Sequence, residues 1–226
     1  MKPRKAAHQN SESLENSEPL EKVVQIKPPS FQTGVFHIRG IAPLVVHKFS
    51  QKALTTMKDK QEKGSQSRKG TKREAKDFEA LYEGAKHISR QGWCGIPASA
   101  FRNAMISACR LVGFAMTLAK LSIFIEADGY DKDEGTPLVR ITEGEPKRLE
   151  MAVRLATGVS DISVRPMWEE WGALLRIRYD ADQFSLQDVT NLLMRVGMQV
   201  GICEGRPDSK KSAGMGWGIF QIEETK

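Results

Sequence analysis

Glycines and cations alternate near the C-terminus in a pattern that suits the binding of a phosphate. The glycines of this segment are Gly201, Gly205, Gly214, Gly216 and Gly218, and its cations are Arg206, Lys210 and Lys211. Glycine permits positive φ and close backbone approach, so N–H groups can reach a phosphate while the cations supply opposite charge. We predict a contact with a nucleic-acid backbone here; the alternative is a long surface loop that only needs glycine.

The position of this glycine-rich loop excludes a dinucleotide-binding fingerprint. Such a fingerprint follows a strand and opens a helix. Here the glycines at 214–218 follow a predicted helix and precede a predicted strand, Trp217 to Ile222. Beside the glycines, Trp217 is a candidate for stacking on a base, with core packing as the alternative.

A second segment, Ile96-Pro97-Ala98-Ser99-Ala100-Phe101-Arg102, predicts the start of a helix. Pro97 or Ser99 can begin such a helix. Its first turn would offer free N–H groups and the positive end of the helix dipole, which together attract an anion. Ser99, Arg102 and Asn103 would lie on the first turns. Ordinary helix capping by Ser99 is the alternative.

Together the two segments resemble the RAMP superfamily, the repeat-associated proteins that form the backbone of CRISPR effector complexes. Members typically combine an Ile-Pro-x-Ser-x-hydrophobic-(Arg/Lys) helix start with a C-terminal glycine-rich loop before a final strand. The matching residues are Ile96, Pro97, Ser99, Phe101, Arg102, Gly205, Arg206, Gly214, Gly216, Gly218 and Phe220. The resemblance spans roughly residues 34–222. A phage or mobile-element protein that reuses this fold, as a strand-binding or anti-defence factor, would look the same.

The resemblance implies binding of single-stranded RNA or DNA along a groove, with RNA favoured. Such subunits commonly stack head to tail into a filament, as homo-oligomers or with other effector subunits. A thumb-like hairpin protrudes between neighbours, and the insertion at 128–160 is a candidate for it. Ser99, Arg102, Arg206, Lys210, Lys211, Gly214, Gly216 and Trp217 are then the expected nucleic-acid contacts.

Positive charge is concentrated in the segment from Lys48 to Lys76. This segment holds ten Lys/Arg and three Asp/Glu, a local charge of +7, so the remainder of the chain carries −1 of the net +6. A basic patch confined to one segment predicts an anionic partner. The candidate contacts are Lys48, Lys52, Arg68, Lys69, Lys72 and Arg73. Family members carry a nucleic-acid-facing insertion at this place; the alternative is a solvated flexible loop.

The composition argues against a membrane protein, a disulfide-rich protein and a zinc-binding protein. Of the 226 residues, 40% are hydrophobic and 27% charged, as in ordinary soluble proteins. No apolar run reaches the roughly 18 residues of a membrane span, and the first residues lack the apolar core of a secretory signal. Cys94, Cys109 and Cys203 are odd in number and scattered, which favours a reducing compartment. We therefore expect a cytoplasmic protein without membrane, cofactor or metal.

Histidines and carboxylates provide weaker candidates for chemistry. His37, His47 and His87 suggest a metal-independent endoribonuclease, the alternative to a pure binder, with His37 or His47 as its catalytic base. A third possibility is a structural assembly protein that binds no nucleic acid. The acidic turn holds Asp128, Asp131, Asp133 and Glu134, but its spacing does not fit a calcium loop. We expect a solvated turn there.

The coarse pattern predicts an α+β protein with a ferredoxin-like βαββαβ core, as in RNA-recognition folds. Residues 1–30 read as a disordered tail and 31–226 as one domain with insertions at 48–76 and 128–160. Helices are predicted at 77–90, from 97 or 99 to 112, and from Ser185 onward. Strands are predicted at 34–41, 118–127, 138–141, 162–168, 173–179 and 217–222, with 150–157 ambiguous.

Overall fold

The computed structural model describes residues 26–49, 51–62, 75–154, 158–209 and 214–223. Its strands are β1 (Phe31–Gly40), β2 (Leu44–Val45), β3 (Gly95–Pro97), β4 (Ile123–Glu126), β5 (Gly129–Tyr130), β6 (Pro137–Arg140), β7 (Lys147–Arg154), β8 (Ser160–Trp168), β9 (Gly172–Asp180) and β10 (Phe220–Ile222). Its helices are α1 (Gln51–Glu62), α2 (Phe78–Gly84), α3 (Ala98–Ala108), α4 (Met116–Ser122) and α5 (Leu186–Arg195). A 3-10 turn (Cys109–Val112) follows α3, and a π-helical segment (Val196–Val200) follows α5. The protein is of the α+β class, as predicted.

The central sheet has four strands in the order β10-β1-β9-β4, and every neighbouring pair is antiparallel. Along β1, Phe36 and Ile38 are buried while Val35, His37 and Arg39 are exposed, so the predicted alternation is confirmed. Burial of one such side chain contributes about 1.5–3 kcal/mol. The buried face of the sheet shares one apolar core with α3 and α5.

Helix α5 forms as predicted from its cap and its apolar spacing. The Ser185 side chain accepts a hydrogen bond from the Asp188 N–H, and the Asp188 side chain accepts from the Ser185 N–H. This capping box satisfies donors that the helix leaves free. The buried stripe that follows is Val189, Leu192, Leu193, Val196 and Val200.

Two smaller sheets flank the central one. One has the order β2-β8-β7, in which β7 and β8 form a hairpin paired from Lys147–Met167 to Arg154–Ser160. The other has the order β3-β6-β5 and pairs the segment before α3 with part of the insertion at 128–160. This insertion contains β5, β6 and β7, and the ambiguous stretch at 150–157 is strand up to Arg154.

The predicted strand at 118–127 is wrong in its first half, which forms helix α4. Ala119 and Ser122 are buried at helical spacing, while Leu118 and Leu121 face solvent. A continuous apolar run does not distinguish a strand from a helix by periodicity alone. Only the packing of Ala119 against the core selects the helix.

The predicted helix at 77–90 ends early, at Gly84. Beyond it, Ile88 bridges to Cys94 and Ser89 bridges to Asp131. Glycine is a weak helix former, and these tertiary bridges replace the helix after it. Helix α1, in contrast, was not predicted and lies in the basic segment at 48–76.

The strands predicted at 162–168 and 173–179 are both present but belong to different sheets. The connection between them carries Trp171, which is buried and donates from its indole N–H to the Ala42 carbonyl at 2.8 Å. Trp171 thus fixes the connection between β8, in the hairpin, and β9, in the central sheet.

Residues 1–25 of the predicted tail lie outside the described residues. Residues 26–30 are described and are exposed. No helix within the described part of the chain is long and apolar enough to cross a bilayer.

Candidate functional site

The predicted helix start and the glycine-rich loop line one cleft of about 1000 Å³. Its walls come from α3, from the loop after the π-helical segment, and from the chain just beyond β2. The polar residues that line it are His47, His87, Ser99, Asn103, Ser107, Arg110, Lys120, Glu204, Arg206, Asp208 and Ser209. Two segments that are about 100 residues apart in sequence thus meet in space.

The N-terminus of α3 is left without a side-chain cap. Pro97 occupies the cap position, and no side chain bonds to the first turn. Ser99 is the second residue of the helix, is exposed and lines the cleft, so it does not cap the helix. The N–H groups of a helix's first turn have no partner within the helix. They remain donors for an anion beside Ser99.

At two positions of the loop, neighbouring atoms lie so close to the backbone that only glycine fits. Gly205 and Gly218 have φ of +76° and +68°. A Cβ on Gly205 would lie 2.3 Å from Cε3 of Trp217, and one on Gly218 would lie 2.0 Å from the Ile202 carbonyl oxygen. Trp217 is half-buried, and the six-membered ring of its indole packs against Gly205.

The loop also presents backbone donors without acceptors. The N–H groups of Ile202 and Glu204 donate to the carbonyls of Gly218 and Val45, both at 3.0 Å. No described atom accepts from the N–H groups of Cys203, Gly205 or Arg206. Successive N–H groups around residues of positive φ form a concave anion site. Both Cys203, with φ +62°, and Gly205 meet that condition.

Some charged side chains of the cleft are paired with each other, and others have no charged partner among the described residues. Asp208 accepts two hydrogen bonds from Arg110, at 2.8 and 2.9 Å, and Glu204 accepts one from Arg165 at 2.9 Å. Both carboxylates are therefore compensated by a neighbouring arginine. Two other cations line the cleft, Arg206 and Lys120, and neither forms an ion pair with any residue whose position is described.

Arg206 is held in place by its own loop. Its Nη1 donates to the Cys203 carbonyl at 2.8 Å, and its side chain is half-buried. Since a guanidinium has five N–H donors, this bond leaves others for a ligand. The arrangement combines uncapped helix N–H groups, free loop N–H groups and an available guanidinium, which together suit a phosphate.

The pKa values of both cleft histidines are lowered, which favours the neutral imidazole. Burial and the positive charge of Arg165 lower the pKa of His47, and Glu204, 3.7 Å away, opposes this only in part. Burial also lowers the pKa of His87, although its Nδ1 hydrogen-bonds to Asp131 at 3.2 Å. The third candidate, His37, lies on the solvent face of β1 and does not line the cleft.

Behind His87 lies the Lys48 cluster, formed by Lys48, His87, Asp131 and Asp133. Lys48 is only 5% exposed and its Nζ donates to both aspartates at 2.7 Å. Asp131 is fully buried, so the prediction of a wholly solvated acidic turn is wrong. Burial alone would raise the pKa of Asp131, but Lys48 and two backbone N–H groups lower it to about 2.

The Lys48 ammonium is thus already neutralised, which argues against the predicted phosphate contact. Arg102 is engaged as well: it donates to the carbonyls of Ile123 and Lys120 and lies over the Phe124 ring. It braces the junction of α4 and β4 outside the cleft. Within the part of the chain that the structure describes, no group of His, Cys, Asp or Glu is arranged to hold a metal ion.

The remaining predicted contacts divide into three groups. Gly214 and Gly216 lie in the C-terminal loop but do not line the cleft. Lys52 lies on α1, with its side chain outside the described set. Those that lie wholly outside the described residues are Arg68, Lys69, Lys72, Arg73, Lys210 and Lys211.

Several cleft residues were not singled out as contacts from the sequence. Ser107 is one of them, although it follows Ser99 and Asn103 at intervals of four, a spacing that places all three on one helix face. Lys120 carries no such signal, because its helix α4 was predicted to be a strand. His87 reaches the cleft only because Asp131 holds it there.

No protein-family model matches this chain, and no curated protein is significantly similar to it.

Proposed function

We propose that the protein binds single-stranded nucleic acid, RNA in preference to DNA, through phosphates held in the cleft. It does not cleave the strand. The observation that carries this proposal is the meeting of the α3 N-terminus and the glycine-rich loop in one cleft, beside Arg206 and Lys120. Both surfaces offer N–H donors that lack partners, and such donors with nearby cations favour phosphate over neutral ligands.

We further propose that the fold is ferredoxin-like and that the chain is a RAMP-type subunit of a filament-like, CRISPR-type ribonucleoprotein. The strand order β10-β1-β9-β4 supports the fold, because a βαββαβ unit with helices after its first and third strands places its fourth strand beside its first. Among the strands of the central sheet, α3 lies in the chain between β1 and β4, and α5 lies between β9 and β10. The β7–β8 hairpin is the candidate thumb between neighbouring subunits, and the reducing cytoplasm is the proposed compartment.

A salt titration tests the binding. Fluorescent single-stranded RNA and DNA of one sequence are titrated with protein between about 50 and 200 mM salt, where phosphate-dominated binding weakens steeply. Arg206→Ala with Lys120→Ala should weaken binding and lower the salt slope by roughly 1.4, since each phosphate contact on a single strand contributes about 0.7. Absence of binding at the lowest salt would instead favour a structural assembly protein.

Arg178→Ala is the matched control. Arg178, like Arg206, forms no ion pair with a described carboxylate, but it lies on the solvent face of the sheet over Phe31 and Phe124. Its loss removes the same charge from the opposite face. Equal weakening by Arg178→Ala and Arg206→Ala would show that net charge, rather than the cleft, binds the strand.

The second candidate function is metal-independent cleavage of RNA, because His47 and His87 line the cleft together. One imidazole would take the proton of a ribose 2′-OH, whose oxygen attacks the phosphorus. The other would protonate the departing 5′-oxygen, leaving a 2′,3′-cyclic phosphate. That acid must start out charged, and the lowered pKa of both rings leaves each neutral at neutral pH.

Incubation of labelled RNA in EDTA separates the two functions. The proposal expects intact RNA over hours at pH 7, with unchanged binding. Cleavage that disappears in His47→Ala or His87→Ala, and persists in the His37→Ala control, would replace the binding function with the catalytic one.

A further inference from the structure

An apolar groove of about 740 Å³ lies next to the cleft. Its apolar lining includes Val112, Phe114, Phe184, Leu192, Met194 and Met198. The two depressions share their dividing wall, since Cys109 faces the groove while Arg110 faces the cleft.

We propose that the apolar groove receives unpaired bases of the strand whose phosphates lie in the cleft. This inference rests on the proposed function, because it needs a strand in the cleft. A single strand carries phosphates along one side and bases that can turn away from them. The adjoining depressions match that division, with cations and N–H donors on one side of the wall and apolar side chains on the other.

The side chains of the groove suit a planar ring. Phe114 packs on the buried Phe184 with ring centroids 4.7 Å apart and ring planes tilted by 46°, and both rings border the groove. Met194 and Met198 are 48% and 65% exposed, so their flexible thioethers are available to a ligand. Thioethers make favourable contacts with aromatic rings and adapt to irregular shapes. Every base offers such a face for stacking.

The polar groups of the groove also fit a neutral heterocycle. Three amides, Gln183, Asn191 and Gln199, lie among the apolar side chains. Amides pair with the donors and acceptors on base edges. Among the described residues that line it, the charged side chains are Asp188, in the capping box of α5, and Arg195, which donates to Gln199 at 3.2 Å. One charge of each sign makes the lining neutral overall, which fits a base better than a phosphate or a charged peptide.

The π-helical segment shapes the wall between groove and cleft. Gly197 lies where a Cβ would meet the Phe220 carbonyl oxygen at 2.2 Å, so the segment packs tightly on β10. Met198 and Gln199 then face the groove, while Val200 faces the cleft. Single π turns inside helices are frequent at functional sites.

The test crosses a protein variant with a ligand variant. Binding of wild type and of Met194→Ala/Met198→Ala is measured with an unstructured single-stranded RNA and with a strand of the same length built from abasic units. The double variant should lose about tenfold affinity for the base-bearing strand, the order of one lost stacking contact. Its affinity for the abasic strand should not change.

Leu121→Ala is the control, since Leu121 is 71% exposed but lines neither depression. Equal losses on both strands, or no loss on either, would overturn the proposal. A change in oligomeric state without a base-dependent loss would also overturn it and assign the groove to a protein partner. If the abasic strand binds with a steep salt slope, the proposed function survives that failure. If neither strand binds, both proposals fail.

Discussion

The Lys48 cluster and the cleft contain cations within the same part of the molecule, yet their chemistry differs. Lys48 is buried and bonded to two aspartates, whereas Arg206 is half-buried and bonded only to a backbone carbonyl. A buried charge is tolerated only when it is paired, so Lys48 cannot give up its aspartate partners to a ligand without a loss of stability. The number of cations near a surface therefore says less about anion binding than their partners do.

The largest expected effect comes from breaking the Lys48 cluster. Asp131→Ala leaves the Lys48 ammonium buried beside one aspartate, and loss of a buried ion-pair partner lowers the free energy of unfolding by about 3–5 kcal/mol. Urea denaturation followed by circular dichroism measures this. Asp133→Ala is the matched control, because its side chain is 38% exposed and such pairs contribute about 1 kcal/mol or less. Similar losses for both variants would contradict the distinction.

The loop that carries the cleft donors can be tested with two glycines of similar backbone. Gly214 and Gly218 have φ of +65° and +68°, but a Cβ on Gly214 would meet no atom within 4 Å. Gly214→Ala should lose about 1–2 kcal/mol from left-handed strain alone. Gly218→Ala should lose about 1–3 kcal/mol more, because its Cβ overlaps the Ile202 carbonyl. Thermal unfolding measures both, and equal losses would exclude the close approach.

A double dissociation sharpens the comparison of the two cation sites. Lys48→Met should destabilise the protein while leaving the salt slope of strand binding unchanged. Arg206→Ala should lower that slope by about 0.7 with a stability change within about 0.5 kcal/mol. Both properties are measured on each variant under one buffer. A reduced slope for Lys48→Met would mean that the buried ammonium also reaches the strand.

The smallest effect is a pH dependence of binding through His47. Burial and Arg165 hold its pKa low in the free protein, so a phosphate in the cleft would favour the charged imidazole and raise that pKa. Binding then takes up a proton, and affinity should rise as pH falls from 7.5 to 6, by up to about tenfold for each unit of pKa increase.

His47→Gln should flatten this pH profile, while His37→Gln on the solvent face of the sheet should not. The free protein should respond in the opposite direction. Because the folded pKa of His47 lies below its ordinary value of 6.5, the unfolded chain binds the proton more readily and stability decreases as pH falls through that range. An affinity that is constant between pH 6 and 7.5 would remove His47 from the phosphate site.

Short sequence patterns predicted secondary structure correctly where the residues involved favour a single local conformation. Ser185 predicted the start of α5, and the alternating pattern at 34–41 predicted the strand β1. They failed where tertiary contacts decided between two locally allowed forms. Helix α4 exists because Ala119 packs against the core, and Gly84 ends α2 because the following residues bridge to other segments.

The candidate site was predictable in its parts. The glycine-rich loop and the helix start at Ile96-Pro97 carry recognisable residues, since positive φ and an open helix N-terminus each restrict the sequence. Lys120 gave no usable signal, and the contact between His87 and Asp131 could not be predicted, because these roles depend on partners distant in the chain.

By itself, the sequence determined the α+β class, the amphipathic core elements and the two segments proposed to contact a phosphate. These follow from backbone restrictions and periodicities that act over a few residues. Only the tertiary structure decided that the two segments meet, that Arg206 stays available and that Lys48 does not. Those outcomes depend on burial and on pairing between residues as far apart as Lys48 and Asp131, and desolvation is a property of the folded chain.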